Sequence, residues 1–212
     1  SAVNMKEWSK VLIGLVVSSV LGFGSGFGIA RFIEKVFRCV HRQKAESFFR
    51  KGQAGAAAGM AFLHGAQDGQ KFMGVFMVAL YLNGMAEKAA DGTFNIPFWV
   101  MVLCSLTMGV GTAVGGWRII KTVGMDMVKM HTYQGFASDA AAGACLLLAS
   151  LTGLPVSTTH TKTTAIMGVG TSRRVSSVNW GIALEMIYAW VLTFPGCGLI
   201  GYLMAKLFMA IF

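Results

Sequence analysis

Long apolar stretches alternate with short polar clusters along the chain, and the spacing of the clusters predicts its elements. Residues 11–32 carry no charge before Arg31 and match the roughly 20 residues a helix needs to cross hydrocarbon. Gly22, Gly24, Gly26 and Gly28 lie in this run. They suit close helix packing in lipid better than a phosphate loop, because such a loop follows a strand. Residues 53–64 and 72–82 are two apolar halves, each too short to span. Gly65, Ala66, Gln67, Asp68, Gly69, Gln70 and Lys71 separate them. Together they predict one broken membrane helix.

Residues 96–116 form a clean span with Trp99 and Trp117 at its ends, like interfacial anchors. Residues 118–131 are mixed and predict a loop with a short interfacial helix. Residues 134–152 are apolar apart from Asp139. The stretch 153–160, Gly-Leu-Pro-Val-Ser-Thr-Thr-His, then interrupts the pattern. Residues 161–171 continue it for only about three turns, which predicts a second broken or re-entrant helix. Residues 179–212 form the last span, with Pro195 as an expected kink. The expected fold is an all-α, polytopic transmembrane helical bundle with two broken or re-entrant helices.

Composition supports this and narrows it. Of 212 residues, 55% are hydrophobic and 13% charged, about half the charge share of a soluble domain. Too few charges exist to cover a water-facing surface, and the hydrophobicity excludes disorder. The net charge of +9 concentrates between the apolar runs, so it reads as membrane topology and not as a nucleic-acid surface. Residues 31–51 hold Arg31, Lys35, Arg38, Arg42, Lys44, Arg50 and Lys51 against Glu34 and Glu46. The positive-inside rule makes this a cytoplasmic loop, and the first helix then runs from outside to inside. Arg173 and Arg174 mark a second cytoplasmic edge. Cys39, Cys104, Cys145 and Cys197 are far apart and form no CxxC pair, so neither a disulfide nor a metal site is expected. No signal-peptide pattern precedes the first span. A chain beginning at Ser1 reads as a processed protein or a fragment.

The two interruptions carry the candidate chemistry. Proline at 155 ends one helix, Ser157 stands where an N-cap belongs, and Thr158, Thr159 and His160 fill the next first turn. Free N–H groups at a helix N-terminus, beside three hydroxyls, make a cradle for an oxyanion. Alternatively, the hydroxyls only cap a kinked helix. Asp68 costs at least ~2.5–3.5 kcal/mol near mid-membrane unless partnered. It either pairs with Lys71 at i,i+3 or carries a coupling cation or proton, while Lys71 and the Gln67 amide face an anion. Asp139 is a second candidate for the coupling ion. His64 and His160 are either proton handles or packing residues, and Lys162 either adds positive potential or snorkels to an edge.

These residues resemble the signatures of the inorganic phosphate transporter (PiT) family. "FLHGAQDGQKFMGV" (62–75) is similar to the family's S-H-G-A-N-D-A-Q-K-x-M-G, and "GLPVSTTHTKTTAIMGVG" (153–170) to its P-V-S-T-T-H signature. "GTAVGGWRIIKTVG" (111–124) and "QGFASDAAAG" (134–143) resemble the stretches between. The resemblance covers nearly the whole chain, in order. It implies a cation-coupled importer of inorganic phosphate built from two inverted repeats, each giving an Asn-Asp break and a Ser-Thr-Thr break to one site. By position, Gln67, Lys71, Ser157, Thr158 and Thr159 would bind phosphate. Asp68 would hold the coupling cation, joined by Asp139, which stands where a Glu is usual. Gln67 replaces the family's Asn and Gly69 its Ala.

One copy of each signature is present, so the N-terminal repeat is absent from the chain. It is expected in the same protein or in another chain, or two copies associate as a homo-oligomer. The expected function is a low-affinity phosphate:cation symporter in the plasma membrane, coupled to H+ or Na+ and working by alternating access. No catalytic residue, metal, other cofactor or nucleic-acid partner is expected. An oxyanion channel or exchanger without coupling, and a structural half-subunit that binds nothing, are the alternatives; an enzyme is the weakest reading.

Overall fold

The computed structural model describes residues 5–89 and 92–211. They form α1 (Met5–Val36), α2 (Arg42–Leu82), α3 (Phe98–Lys121), α4 (Thr132–Thr152), α5 (Thr158–Thr171) and α6 (Trp180–Ile211). A π-helical turn, Thr122–Asp126, continues α3, and a 3-10 turn, Val175–Ser177, precedes α6. The described residues contain no strand beyond two isolated bridges, Lys88 with Phe94 and Val128 with Val178. The expected all-α class holds. The stretches Trp8–Val36, Phe98–Asp126, Thr132–Thr152 and Trp180–Ala210 are long and apolar enough to cross a membrane. With 14 residues, α5 reaches only about 21 Å at 1.5 Å per residue, short of the ~30 Å hydrocarbon layer.

Of the two predicted interruptions, one is present. Gly153 takes a left-handed φ of +67° and closes α4, and its N–H and that of Leu154 both return to the Ala149 carbonyl. Pro155 cannot extend the helix, so the chain runs extended to Ser157, where α5 starts.

The other predicted break is not there: α2 runs through residues 65–71 as one helix of 41 residues. Magnitudes explain the difference. Each glycine costs a helix about 1 kcal/mol relative to alanine, whereas unwinding inside lipid exposes several backbone groups at several kcal/mol apiece. The polar side chains there reach partners from a wound helix, so nothing favours opening it.

Residues 31–51 also differ from the expected loop. Helix α1 continues to Val36 and α2 begins at Arg42, leaving a short corner between. The aromatics among the charges close that corner: Phe37 and Phe49 have ring centroids 4.8 Å apart, and Phe49 packs on Phe136 at 5.6 Å. Likewise, α3 runs on to Lys121 where a loop was expected. Pro195 lies within α6, which is not interrupted there.

Helix α5 is the centre of the molecule. Three clusters of buried apolar residues surround it, one around Ile166 and Met167, one including Val169, one including Ala165. Against α1 it packs backbone to backbone. A Cβ at Gly14 would stand 2.1 Å from the Pro155 carbonyl oxygen, one at Gly22 2.6 Å from that of Thr161, and one at Gly26 2.3 Å from that of Ala165. Gly168 of α5 faces the Phe23 carbonyl in the same way, at 2.1 Å. Gly24 and Gly28 face open space, so only part of the predicted glycine stripe forms the contact. By contrast, α3 and α6 are exposed along nearly their whole length; 6% and none of their spanning windows are buried.

Candidate functional site

Helices α2, α4 and α5 bring the two signature stretches together. The Thr158 hydroxyl, in the first turn of α5, donates to Oδ2 of Asp68 on α2 at 3.1 Å, across 90 residues of sequence. Asp68 Oδ1 takes Lys71 Nζ at 2.8 Å, and His64 Nε2 lies 3.5 Å from Oδ2. Spacings of three and four residues place these side chains on one face of α2. Thr158 is buried, and Asp68 is 21% exposed. Gln67 lies on the flank toward α4, where its amide donates to the Leu146 carbonyl at 3.0 Å and to Ser150 Oγ at 2.9 Å.

Ser157 is the N-cap of α5, and its Oγ accepts the His160 N–H at 3.3 Å. The N–H groups of Thr158 and Thr159 occupy the first two helical positions, which have no intrahelical acceptor. Thr159 is exposed. The His160 ring rests on Trp190 of α6, with centroids 3.9 Å apart. Thr161 Oγ1 and Thr164 Oγ1 bond back to the carbonyls of Ser157 and His160, one turn earlier.

Asp139 lies apart from this group. Its carboxylate is paired with Lys162 of α5, which also reaches Ser138 Oγ at 3.3 Å. Lys162 therefore turns inward to α4, neither snorkelling outward nor facing the Asp68 cluster. The sequence reading missed this pair and the role of Ser150, since neither spacing nor composition links residues on separate helices. The His64–Asp68 spacing of four was legible beforehand.

The cluster lies at the open edge of the α2–α5 contact: Thr158 is buried, but Lys71 is 57% and His64 36% exposed. Thr171 ends α5 beside Ser172 and Arg173, and Arg173 pairs with Glu34 near the end of α1. Thr158 is thirteen residues back, about 20 Å from that basic end. Pro155 touches Gly14, itself six residues, or about 9 Å, inside the first span. A helix N-terminus with free amides, an ammonium group and a carboxylate thus meet beside α1, away from the basic end of the bundle.

A family model described as "Phosphate transporter family" matches residues 1–201. The chain belongs to the phosphate transporter family. A probable low-affinity inorganic phosphate transporter of Bacillus subtilis is 38% identical over 92% of this chain. A protein of the same description from Rhizobium meliloti is likewise 38% identical over 92%. A putative phosphate permease of Pyrococcus furiosus is 32% identical over 97%. The chain spans 57%, 57% and 56% of these three relatives, a little over half of their length. Among solved structures, a sodium-dependent phosphate transporter matches with a TM-score of 0.73 at 22% identity, over 91% of this chain and 64% of that one, which establishes the shared fold. The chain is thus a multi-pass membrane member of the phosphate transporter family.

Proposed function

We propose that this chain forms one half of a low-affinity, cation-coupled carrier of inorganic phosphate that works by alternating access and is not an enzyme. The observation that carries the reading is the Thr158–Asp68 hydrogen bond, which seats the open N-terminus of α5 on a carboxylate of α2. Phosphate binds there, held by the amides and hydroxyls of Ser157, Thr158 and Thr159 and by the Lys71 ammonium. Gln67 joins once it releases α4.

The same geometry calls for a coupling ion. Lys71 offsets the Asp68 charge while it is paired at 2.8 Å; once the ammonium turns to phosphate, a phosphate oxygen about 4 Å from that carboxylate is repelled by roughly 4 kcal/mol at an effective dielectric of 20. A proton or Na+ shared by the two anions turns that repulsion into attraction, so substrate and cation bind together or not at all. Asp139, already neutralised by Lys162, takes a coupling ion only in a conformation that separates that pair. The complementary half of the site comes from the length that the relatives possess beyond this match, or from a second copy. The membrane is the plasma membrane, with the basic end of the bundle in the cytoplasm.

Uptake of labelled phosphate into vesicles holding the intact protein tests this. Asp68→Asn is expected to abolish gradient-driven accumulation, and Ser157→Ala to raise the phosphate concentration needed. Accumulation that persists after the Na+ and proton gradients are collapsed would overturn the coupling, and unaltered uptake in both variants would overturn the site.

A further inference from the structure

We propose that an arginine-lined cavity at the basic end of the bundle binds the phosphate group of an anionic phospholipid. The cavity is an open cleft of about 570 Å³, lined by Arg31, Glu34, Ser172, Arg173, Arg174 and Ser177. Three arginines and one glutamate thus share its lining. That carboxylate is already engaged: Glu34 accepts Arg173 Nε at 3.3 Å and the Tyr133 hydroxyl at 2.8 Å. Arg31 and Arg174 have no carboxylate partner among the described residues. Two arginines held at one concavity without a counter-ion present forked donors suited to phosphate oxygens.

The location selects a lipid. Arg31 lies in the last turns of the span Trp8–Val36, and α6 enters its span at Trp180, three residues beyond Ser177. The cavity is therefore level with the headgroup layer, where basic pockets between helices take anionic headgroups. An apolar flank adjoins it. The Arg31 guanidinium sits 5.7 Å from the Phe27 ring centroid, and Phe27, Phe32 and Val175 are 38%, 66% and 65% exposed. A phospholipid satisfies the arginines and covers this flank with an acyl chain; a free anion does only the first. The site is separate from the Asp68 cluster, because α5 lies between them with about 20 Å of its length.

The test is native mass spectrometry of the intact protein extracted from vesicles of equal parts phosphatidylglycerol and phosphatidylcholine. Phosphatidylglycerol is expected to stay bound in preference, and R31Q/R174Q to reduce its retention about tenfold or more, as loss of two charge-assisted contacts implies. R174Q alone, on an exposed turn, gives the same direction should the double variant not fold. Millimolar inorganic phosphate added before measurement separates the sources. Retention that it leaves unchanged supports the lipid. Displacement of the lipid by phosphate, equal retention of the two lipids, or full retention in both variants overturns the proposal. The readout needs no transport, so its failure is distinct from failure of the carrier reading.

Discussion

At the scale of single residues, the site depends on few atoms. Asp68 holds three partners at once, Thr158, Lys71 and His64, so its charge is shared between two helices. Thr158→Val keeps the shape and removes the hydroxyl donor. It is expected to cost about 1.5–3 kcal/mol of phosphate binding or protein stability, the range for a bond to a charged group, measured by binding isotherms and thermal unfolding side by side. Lys162 and Asp139 form a tie between α5 and α4. Lys162→Met alone leaves a carboxylate unpaired in the bundle and is expected to lower Tm, whereas the double variant K162M/D139N is expected to recover most of the loss. A double variant no more stable than K162M would show that the tie is not the source of the effect.

At the scale of elements, the decisive contact is between α1 and α5. Gly26 and Gly168 let two backbones meet without side chains between them, and Gly22 leaves room for the Thr164 hydroxyl. Gly26→Val would drive a side chain into the Ala165 carbonyl, 2.3 Å from the position of Cβ, and is expected to abolish recovery of folded protein. Gly24→Ala meets nothing within 4 Å and is expected to be neutral or to stabilise α1 by up to about 1 kcal/mol through helix propensity. Comparing folded yield of the two variants on size-exclusion chromatography checks the assignment: equal losses would mean that the close approach does not hold α5. The two glycines are alike in the pattern of the sequence. Only the azimuth of α1 against α5 separates them.

At the scale of the whole molecule, α3 and α6 present apolar faces that the described residues leave uncovered. Leu106 and Leu192 are each 64% exposed. Lysine at either position is expected to cost about 2.5–3.5 kcal/mol of membrane insertion at the helix centre, read as a fall in the inserted fraction in a glycosylation-mapping assay. Unchanged insertion at Leu192 would mean that protein covers this face of α6. The legibility of this scale was uneven. The spans stood out because 20 apolar residues have few other fates, and the interruption at Pro155 stood out because proline lacks a donor. The continuity of α2 through Gly65 and Gly69 was hidden, since a polar cluster looks the same whether its partners sit on a neighbouring helix or in an unwound loop. For Gln67 and Asp68 those partners are Leu146, Ser150 and Thr158, 79 to 90 positions away.

What the sequence determined by itself is what local chemistry controls. Apolar length specifies which segments cross, Pro155 and Ser157 end one helix and start the next, and the basic clusters share one end of the bundle, where Arg173 meets Glu34. The tertiary structure alone decided which polar groups meet: Asp68 with Thr158, Asp139 with Lys162, Gln67 with α4. The reason is physical. A buried charge or amide must find a partner, but its own segment does not specify which neighbouring helix supplies it; packing of small residues sets that distance and rotation.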